Sequence, residues 1–200
     1  MSAITVYKVS RRVIYKRIES TLDESTRREQ AGFRKRFPTI DHIFDLTQIK
    51  ERRREYKVPL CLLFIDFKQA FGSVEHNSVL QSLSDGEVGP VFIRIMEDSL
   101  SESHTEITLF ETSVSIKIGR GVKQGEICSS KAFSLALEGA LRKMETADGF
   151  NVDGEKLQVL RFANDTILVA GDPEKLQRLL NEFNNKAKEI GLSIHDGKTK

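Results

Sequence analysis

Cysteine is nearly absent: Cys61 and Cys128 are the only two in 200 residues, and they show neither pairing nor zinc-ligand spacing. His42, His76, His104 and His195 are scattered singly. This argues against a disulfide framework, a disulfide-linked partner and a structural zinc site. Long hydrophobic runs are missing too. The longest, from Val58 to Ile65, is far too short to span a bilayer, so no membrane partner is expected. The opening stretch MSAITVYKVSRR has no signal-peptide core, which predicts an intracellular protein without separating nucleus from cytoplasm. There is no internal repeat, no low-complexity tract and no linker, so the chain reads as one continuous unit. With 39% hydrophobic and 30% charged residues, it has the composition of an ordinary globular domain.

Charge of one sign is scarce only on average. The net charge of +2 combines 15 Lys/Arg against 8 Asp/Glu in residues 1–57 with 16 against 21 in the remainder. The first segment is therefore a candidate surface for phosphate backbones, and the acidic remainder could hold a metal. The run KERRREYK, Lys50 to Lys57, reads equally well as a solvated helix face.

Hydrophobic spacing predicts a helix over 4–20 with Ile4, Tyr7, Ile14 and Ile18 on one face. A second starts near Pro38, with Ile40, Ile43, Phe44 and Ile49 at helical spacing. PLCLLFIDF is an unbroken apolar strand, expected to be buried on both faces, that ends in Asp66. Helices follow over 74–83 and 89–100, then a strand pair, TEITLF and SVSIKIG. GVKQGEICSS reads as a polar loop, with Ser129 or Ser130 capping a helix from Lys131 to Thr146. Asp153-Gly154 marks a turn between strands. In VLRFANDTILVA two apolar arms flank a reversal at Asn164-Asp165, and the last helix carries Leu176, Leu179, Leu180, Phe183, Ala187 and Ile190 on one face. The order predicts an α+β domain with helices on one face of a mainly antiparallel sheet.

Asp66 and Asp165 each adjoin an intensely apolar strand, although a lone strand-end aspartate more often serves a turn or a cap. Two such acids at one sheet edge need a cation or donors to offset their burial. Magnesium suits clustered carboxylates, because it takes hard oxygen ligands and shares them with substrate phosphates.

The segments FIDFKQAF, GVKQGE, RFANDTILV and GLSIHDGKTK occur in the order of the reverse transcriptase motifs of non-LTR (LINE-type) retrotransposons, which they resemble. EQAGFRKRFPTIDHI resembles the fingers segment that precedes those motifs, and the resemblance runs from about Tyr7 to Lys200. It implies a polymerase palm (residues 58–200, motifs A to D) with partial, basic, mainly helical fingers (1–57). It implies RNA-directed DNA polymerase chemistry with two magnesium ions, an RNA template, a DNA primer and deoxynucleoside triphosphates. Asp66 matches the first catalytic aspartate and Asp165 the last, both as metal ligands, with Phe67 adding its backbone carbonyl. Phe71 matches the aromatic gate under the incoming sugar, although it reads equally as a core aromatic, and Ala70 lies where the backbone passes the triphosphate. Gln124 and Gly125 match the loop that packs on the nucleotide and template. Arg34 and Lys35 fall near template or triphosphate, and Lys198 or Lys200 matches the lysine that protonates leaving pyrophosphate.

Several positions depart from the family. Its Phe-Ala-Asp-Asp tip is here Phe162-Ala163-Asn164-Asp165, so the metal-bridging acid has become an amide. Gly72 and Glu126 stand where Asp is usual, Ser130 stands where Pro is usual, and the sequence stops at Lys200, before a primer grip and thumb. These departures predict a degenerate or truncated copy with weakened metal binding and impaired catalysis, in which restoring Asp at 164 alone recovers little. The alternatives are a non-catalytic nucleic-acid-binding remnant and an inert transposon fragment.

Overall fold

The computed structural model describes residues 3–24, 39–101, 103–110, 112–123, 127–146, 148–152 and 154–200. Helices α1 (Ala3–Glu24) and α2 (Thr39–Tyr56) precede strand β1 (Cys61–Ile65) and helices α3 (Ala70–Ser73), α4 (His76–Asp85) and α5 (Pro90–Ser101). The hairpin β2 (His104–Leu109) and β3 (Thr112–Lys117) leads to α6 (Ile127–Leu141). The strands β4 (Phe150–Val152), β5 (Glu155–Leu157), β6 (Val159–Phe162) and β7 (Asp165–Ala170) follow, and α7 (Pro173–Glu189) comes last. Every strand pairing is antiparallel, as the α+β class requires. No helix among the described residues is long and apolar enough to cross a membrane. The chain divides into two compact units, residues 1–25 with 69–136 and residues 26–68 with 137–200.

In the first unit α1 buries Tyr15, Ile18 and Leu22, so of the expected face Ile18 is buried, while Ile14 is half-buried. The side chains of Ile4 and Tyr7 lie outside the described residues. Burial first, and then the carboxylates of Glu19 and Asp23, push the Tyr15 hydroxyl above the usual tyrosine range. Lys131 of α6 is fully buried and its ammonium is held by Asp23. A buried lysine needs such a partner, because an unpaired charge there would be far too costly. Helix α6 begins at Ile127, ahead of the expected Lys131, and ends at Leu141, so Ser129 and Ser130 are buried helix residues and not caps. The β2–β3 pair forms as expected.

The loop after β3 is pinned from both sides. The Gly121 amide donates to Val74 O at 2.7 Å, and His76 Nε2 lies 2.8 Å from Gly121 O. Gly121 has φ +89°, and a Cβ there would sit 2.7 Å from the Gly72 carbonyl oxygen. A Gly121→Ala variant should therefore lose about 2–4 kcal/mol, from left-handed strain plus overpacking, read as a lower urea midpoint. A Cβ on Gly72 would meet nothing within 4 Å, so the missing family aspartate there is not a steric necessity.

In the second unit the sheet order is β1-β7-β6. Leu179, Phe183 and Ala187 form the buried stripe of α7, which starts at an Asp172 cap accepting from the Lys175 amide at 2.8 Å. Phe183 stacks on Phe67 with ring centroids 6.0 Å apart. Helix α2 packs more sparsely. Ile49 joins a small core with Phe150 and Val169, whereas Ile43 and Phe44 are 59% and 62% exposed, against the amphipathic expectation. Pro38 and the Ile40 side chain lie outside the described residues. Helix α2 ends with Lys57 at φ +53° and a Val58 N–H to Arg53 O bond of 3.1 Å, the six-to-one closure of a left-handed C-terminal cap. Strand β1 is not buried on both faces: Phe64 is 49% exposed. Apolar content could not separate a core face from a cleft face.

Candidate active site

Strand register decides which side chains share a face. Cys61 lies opposite Ala170 and Ile65 opposite Thr166 in the antiparallel β1–β7 pair. The pairing ends at Ile65 and Thr166, and extending it by one step leads to Asp66 and Asp165 at the same end of the sheet. Opposed residues project to the same side, so Leu62, Phe64 and Asp66 share a face with Val169, Ile167 and Asp165. The β6 register adds Leu160 and Phe162 to that face. The other face presents Ile65, Thr166 and Leu168, all buried.

The hairpin brings Asn164 beside the acids. Phe162 pairs with Asp165, so the turn is Ala163-Asn164, one residue earlier than the expected Asn164-Asp165. Ala163 has φ +60° at the first central position, where tight hairpins favour glycine. A side chain in that conformation costs about 1–2 kcal/mol. Local strain is thus retained at the tip that presents Asp165. Before the tip lies a cleft of about 480 Å³, lined by Asp66, Asp165, Phe64, Phe162, Lys198 and, from α2, Leu46.

The segment after α7 returns along the outer edge of β1. Phe67 bridges Ile194, with Lys68 N–H donating to Ser193 O and His195 N–H to Asp66 O, both at 2.8 Å. Those bonds belong to the flanking residues, so this bridge does not use the Phe67 carbonyl. Lys200 exchanges two backbone bonds with Phe64, at 2.7 and 3.0 Å, which covers part of an otherwise open strand edge. Lys198 reaches back, its Nζ 3.3 Å from Asp66 Oδ2, with the carboxylate more shielded from solvent than the ammonium. His195 was not singled out by the sequence, since a backbone donor leaves no mark on residue type. Phe64 and Phe162 were also missed, although the two-residue period counted back from Asp66 finds the first.

Behind the acids, on the opposite face, Arg161 lies across from Thr166. It is buried and ion-paired with Glu138 of α6, whose other carboxylate oxygen lies 3.3 Å from Arg142 Nε. Ala70 and Phe71 belong to the first unit, where the Phe71 ring is tilted on Phe133 with centroids 4.7 Å apart. Arg34, Lys35, Gln124 and Gly125 lie outside the described residues.

Asp66 and Asp165 put two hard-oxygen carboxylates on this cleft, next in sequence to the Phe67 carbonyl and the Asn164 amide. No cluster of three or more acidic, histidine or cysteine side chains able to hold a metal occurs among the described residues. The donors therefore fit an ion that completes its shell with water and substrate oxygens, and not a cage built by the protein alone.

The family model for reverse transcriptase (RNA-dependent DNA polymerase) matches residues 2–200. The chain is 32% identical over 147 residues to the retrovirus-related Pol polyprotein from type-1 retrotransposable element R2 of Nasonia vitripennis, covering 73% of this chain and 14% of that protein. Its identity to the corresponding Popillia japonica polyprotein is 26% over 201 residues, 98% of this chain and 28% of that one. The chain thus spans less than a third of the length of these relatives. Among solved structures, apo telomerase from Candida tropicalis, truncated from its C-terminal domain, superposes with a TM-score of 0.68 at 14% identity, over 94% of this chain and 39% of that chain. That likeness is one of fold. The two cleft aspartates, the strained hairpin tip and the match along almost the whole sequence lead to one conclusion: the chain belongs to the reverse transcriptase family, in the branch carried by non-LTR retrotransposons.

Proposed function

We propose that this chain is the nucleotidyl-transfer module of an RNA-directed DNA polymerase, acting inside the cell, whose metal site is one carboxylate short. The observation that supports the reading is that Asp66 and Asp165 line one cleft, just beyond the last β1–β7 pair. In this reading residues 1–57 are partial fingers and 58–200 the palm. Asp66, Asp165 and the Phe67 carbonyl hold magnesium ions, which when bound stabilise charge developing on the transferring phosphate. Asn164 keeps the shape of the lost acid and offers an oxygen without its charge. Losing that carboxylate should cost several kcal/mol of barrier lowering, roughly a thousandfold in rate.

The template is RNA, the primer DNA and the substrate a deoxynucleoside triphosphate. Phe71 excludes the ribose 2′-hydroxyl, Ala70 lines the triphosphate path, and Gln124 and Gly125 pack on the incoming nucleotide. Arg34 and Lys35 grip template or triphosphate. Of the two candidate lysines, the 3.3 Å approach to Asp66 favours Lys198 as the proton donor to pyrophosphate. Lys200 is engaged through its backbone with Phe64 instead. Asn164 itself favours a second reading, in which the chain binds nucleic acid without extending it.

Metal-directed cleavage tests the site without requiring turnover. Millimolar Fe²⁺ with ascorbate should cut the chain next to residues 65–67 and 164–166, and Asp66→Asn should abolish both cuts. Cuts elsewhere, or cuts indifferent to Asp66→Asn, would remove Asp66 and Asp165 from the metal site.

A further inference from the structure

A second concavity lies at the far end of the same sheet. The catalytic face is presented where β1 ends and β7 begins, whereas this pocket is built where β7 runs out at Gly171 and the chain enters β1 at Val58. Six residues separate Asp165 from Gly171, about 20 Å of extended strand. The pocket, about 370 Å³, lies among the end of α2, the β4–β5 hairpin and the start of α7. Its floor is apolar, with Ile49 and Phe150 from the small core. Its rim carries Arg52, Arg53, Lys156 and Lys175 together with Tyr56, which is 70% exposed. Among the described residues, none that line it is Asp or Glu. Asp172 holds Lys175 at 2.7 Å and keeps its pKa above the usual lysine range.

The run KERRREYK thus divides between pocket and surroundings. Arg52, Arg53 and Tyr56 turn into the pocket, and the other residues of the run do not line it. Arg53 is fixed at the rim, its Nε donating to Val58 O at 3.2 Å next to the left-handed cap at Lys57.

We propose that this pocket binds one nucleotide of a single-stranded RNA segment, separate from any template in the catalytic cleft. The phosphate meets the arginine and lysine rim, and the base lies on the apolar floor against Tyr56. An acidic peptide would use the cations but neither the floor nor the exposed ring. Single-stranded RNA uses all three, because its unpaired bases stack on aromatic side chains while its backbone needs cations. The volume is within the range of pockets that hold a small ligand. The proposal stands whether or not the chain polymerises.

The test is fluorescence anisotropy of a labelled 12-mer oligouridylate on the whole chain, titrated at several salt concentrations. Arg53→Gln and Lys156→Gln should each weaken binding and lower the slope of log K against log salt by about 0.7, the value of one single-strand phosphate contact. Tyr56→Ala should weaken binding about tenfold and leave the slope unchanged, the mark of stacking without charge. Lys188→Ala on α7, outside the pocket, should change neither, and circular dichroism melts should match across all variants. Three results would overturn the proposal. One is no oligouridylate binding at low salt. Another is binding indifferent to the three pocket substitutions. The third is polyglutamate competing as well as RNA with Tyr56→Ala silent, which would assign the pocket to an acidic protein segment.

Discussion

Restoring the acid at position 164 should tighten divalent-cation binding about tenfold or more, while RNA-templated primer extension rises at most marginally above background. The two halves of this expectation have separate causes. Asparagine and aspartate are nearly isosteric, so Asn164→Asp adds a negative charge beside Asp66 and Asp165 with little change in packing. Affinity for hard cations rises with the charge of the ligand set, and tenfold corresponds to only about 1.4 kcal/mol. Manganese titration of the chain alone, followed by electron paramagnetic resonance, reads this without nucleic acid. Extension needs more than a metal site, because charge stabilisation accelerates only a primer end already aligned on the nucleotide. Gly72, Glu126 and Ser130 also depart from the family pattern, and one substitution repairs none of them. Robust magnesium-dependent synthesis by the unmodified chain would refute this and mean that an amide can replace the bridging acid. Unchanged manganese affinity in Asn164→Asp would show that residue 164 does not face the metal.

Removing Glu138 should be strongly destabilising. Its carboxylate holds buried Arg161 through one oxygen and Arg142 through the other. Glu138→Ala leaves the Arg161 guanidinium inside without its carboxylate, which typically costs about 3–5 kcal/mol. That is a large fraction of the roughly 5–15 kcal/mol that holds a domain folded. The urea midpoint should fall accordingly. Because Arg161 sits on β6 opposite Thr166, one residue from the pair that closes the hairpin, the loss should be felt at the catalytic tip as well. Glu138→Leu combined with Arg161→Met should recover much of the stability, since a well-packed apolar pair can equal a buried ion pair. A Glu138→Ala midpoint within about 0.5 kcal/mol of the parent would show that the pair contributes little.

How legible the molecule was depended on whether residue type carried the information. Helix α7 could be read directly, because Leu179, Phe183 and Ala187 repeat at helical spacing. Each of the two acids adjoins a strongly apolar strand, which made them stand out, and both line one cleft. The α6 start was misread, because serine caps helices well and also packs inside them. The cores of α1 and α2 were only half legible. Periodicity reports which residues are apolar, and not which of them meet a neighbour, so Ile43 and Phe44 looked like core and are exposed. Illegible altogether were the contacts made by backbone atoms, such as His195 N–H on the Asp66 carbonyl. The rim pocket was hidden for another reason, since its cations come from segments about a hundred residues apart.

The antiparallel register has a consequence for how such a sequence can decay. A point substitution at the tip, such as Asp to Asn, changes charge and leaves every strand pair in place. A single-residue insertion or deletion within 61–66 or 165–170 would carry one acid to the helix-packed face and its apolar neighbours to the cleft, because side chains alternate along a strand. The fold therefore guards the number of residues between its landmarks far more strictly than it guards the acids themselves. Copies released from selection for synthesis can lose catalytic charges one by one while remaining foldable, whereas those with a shifted strand lose the domain in one step. On the proposed reading, Asn164 within the paired β6–β7 hairpin is the first kind of change.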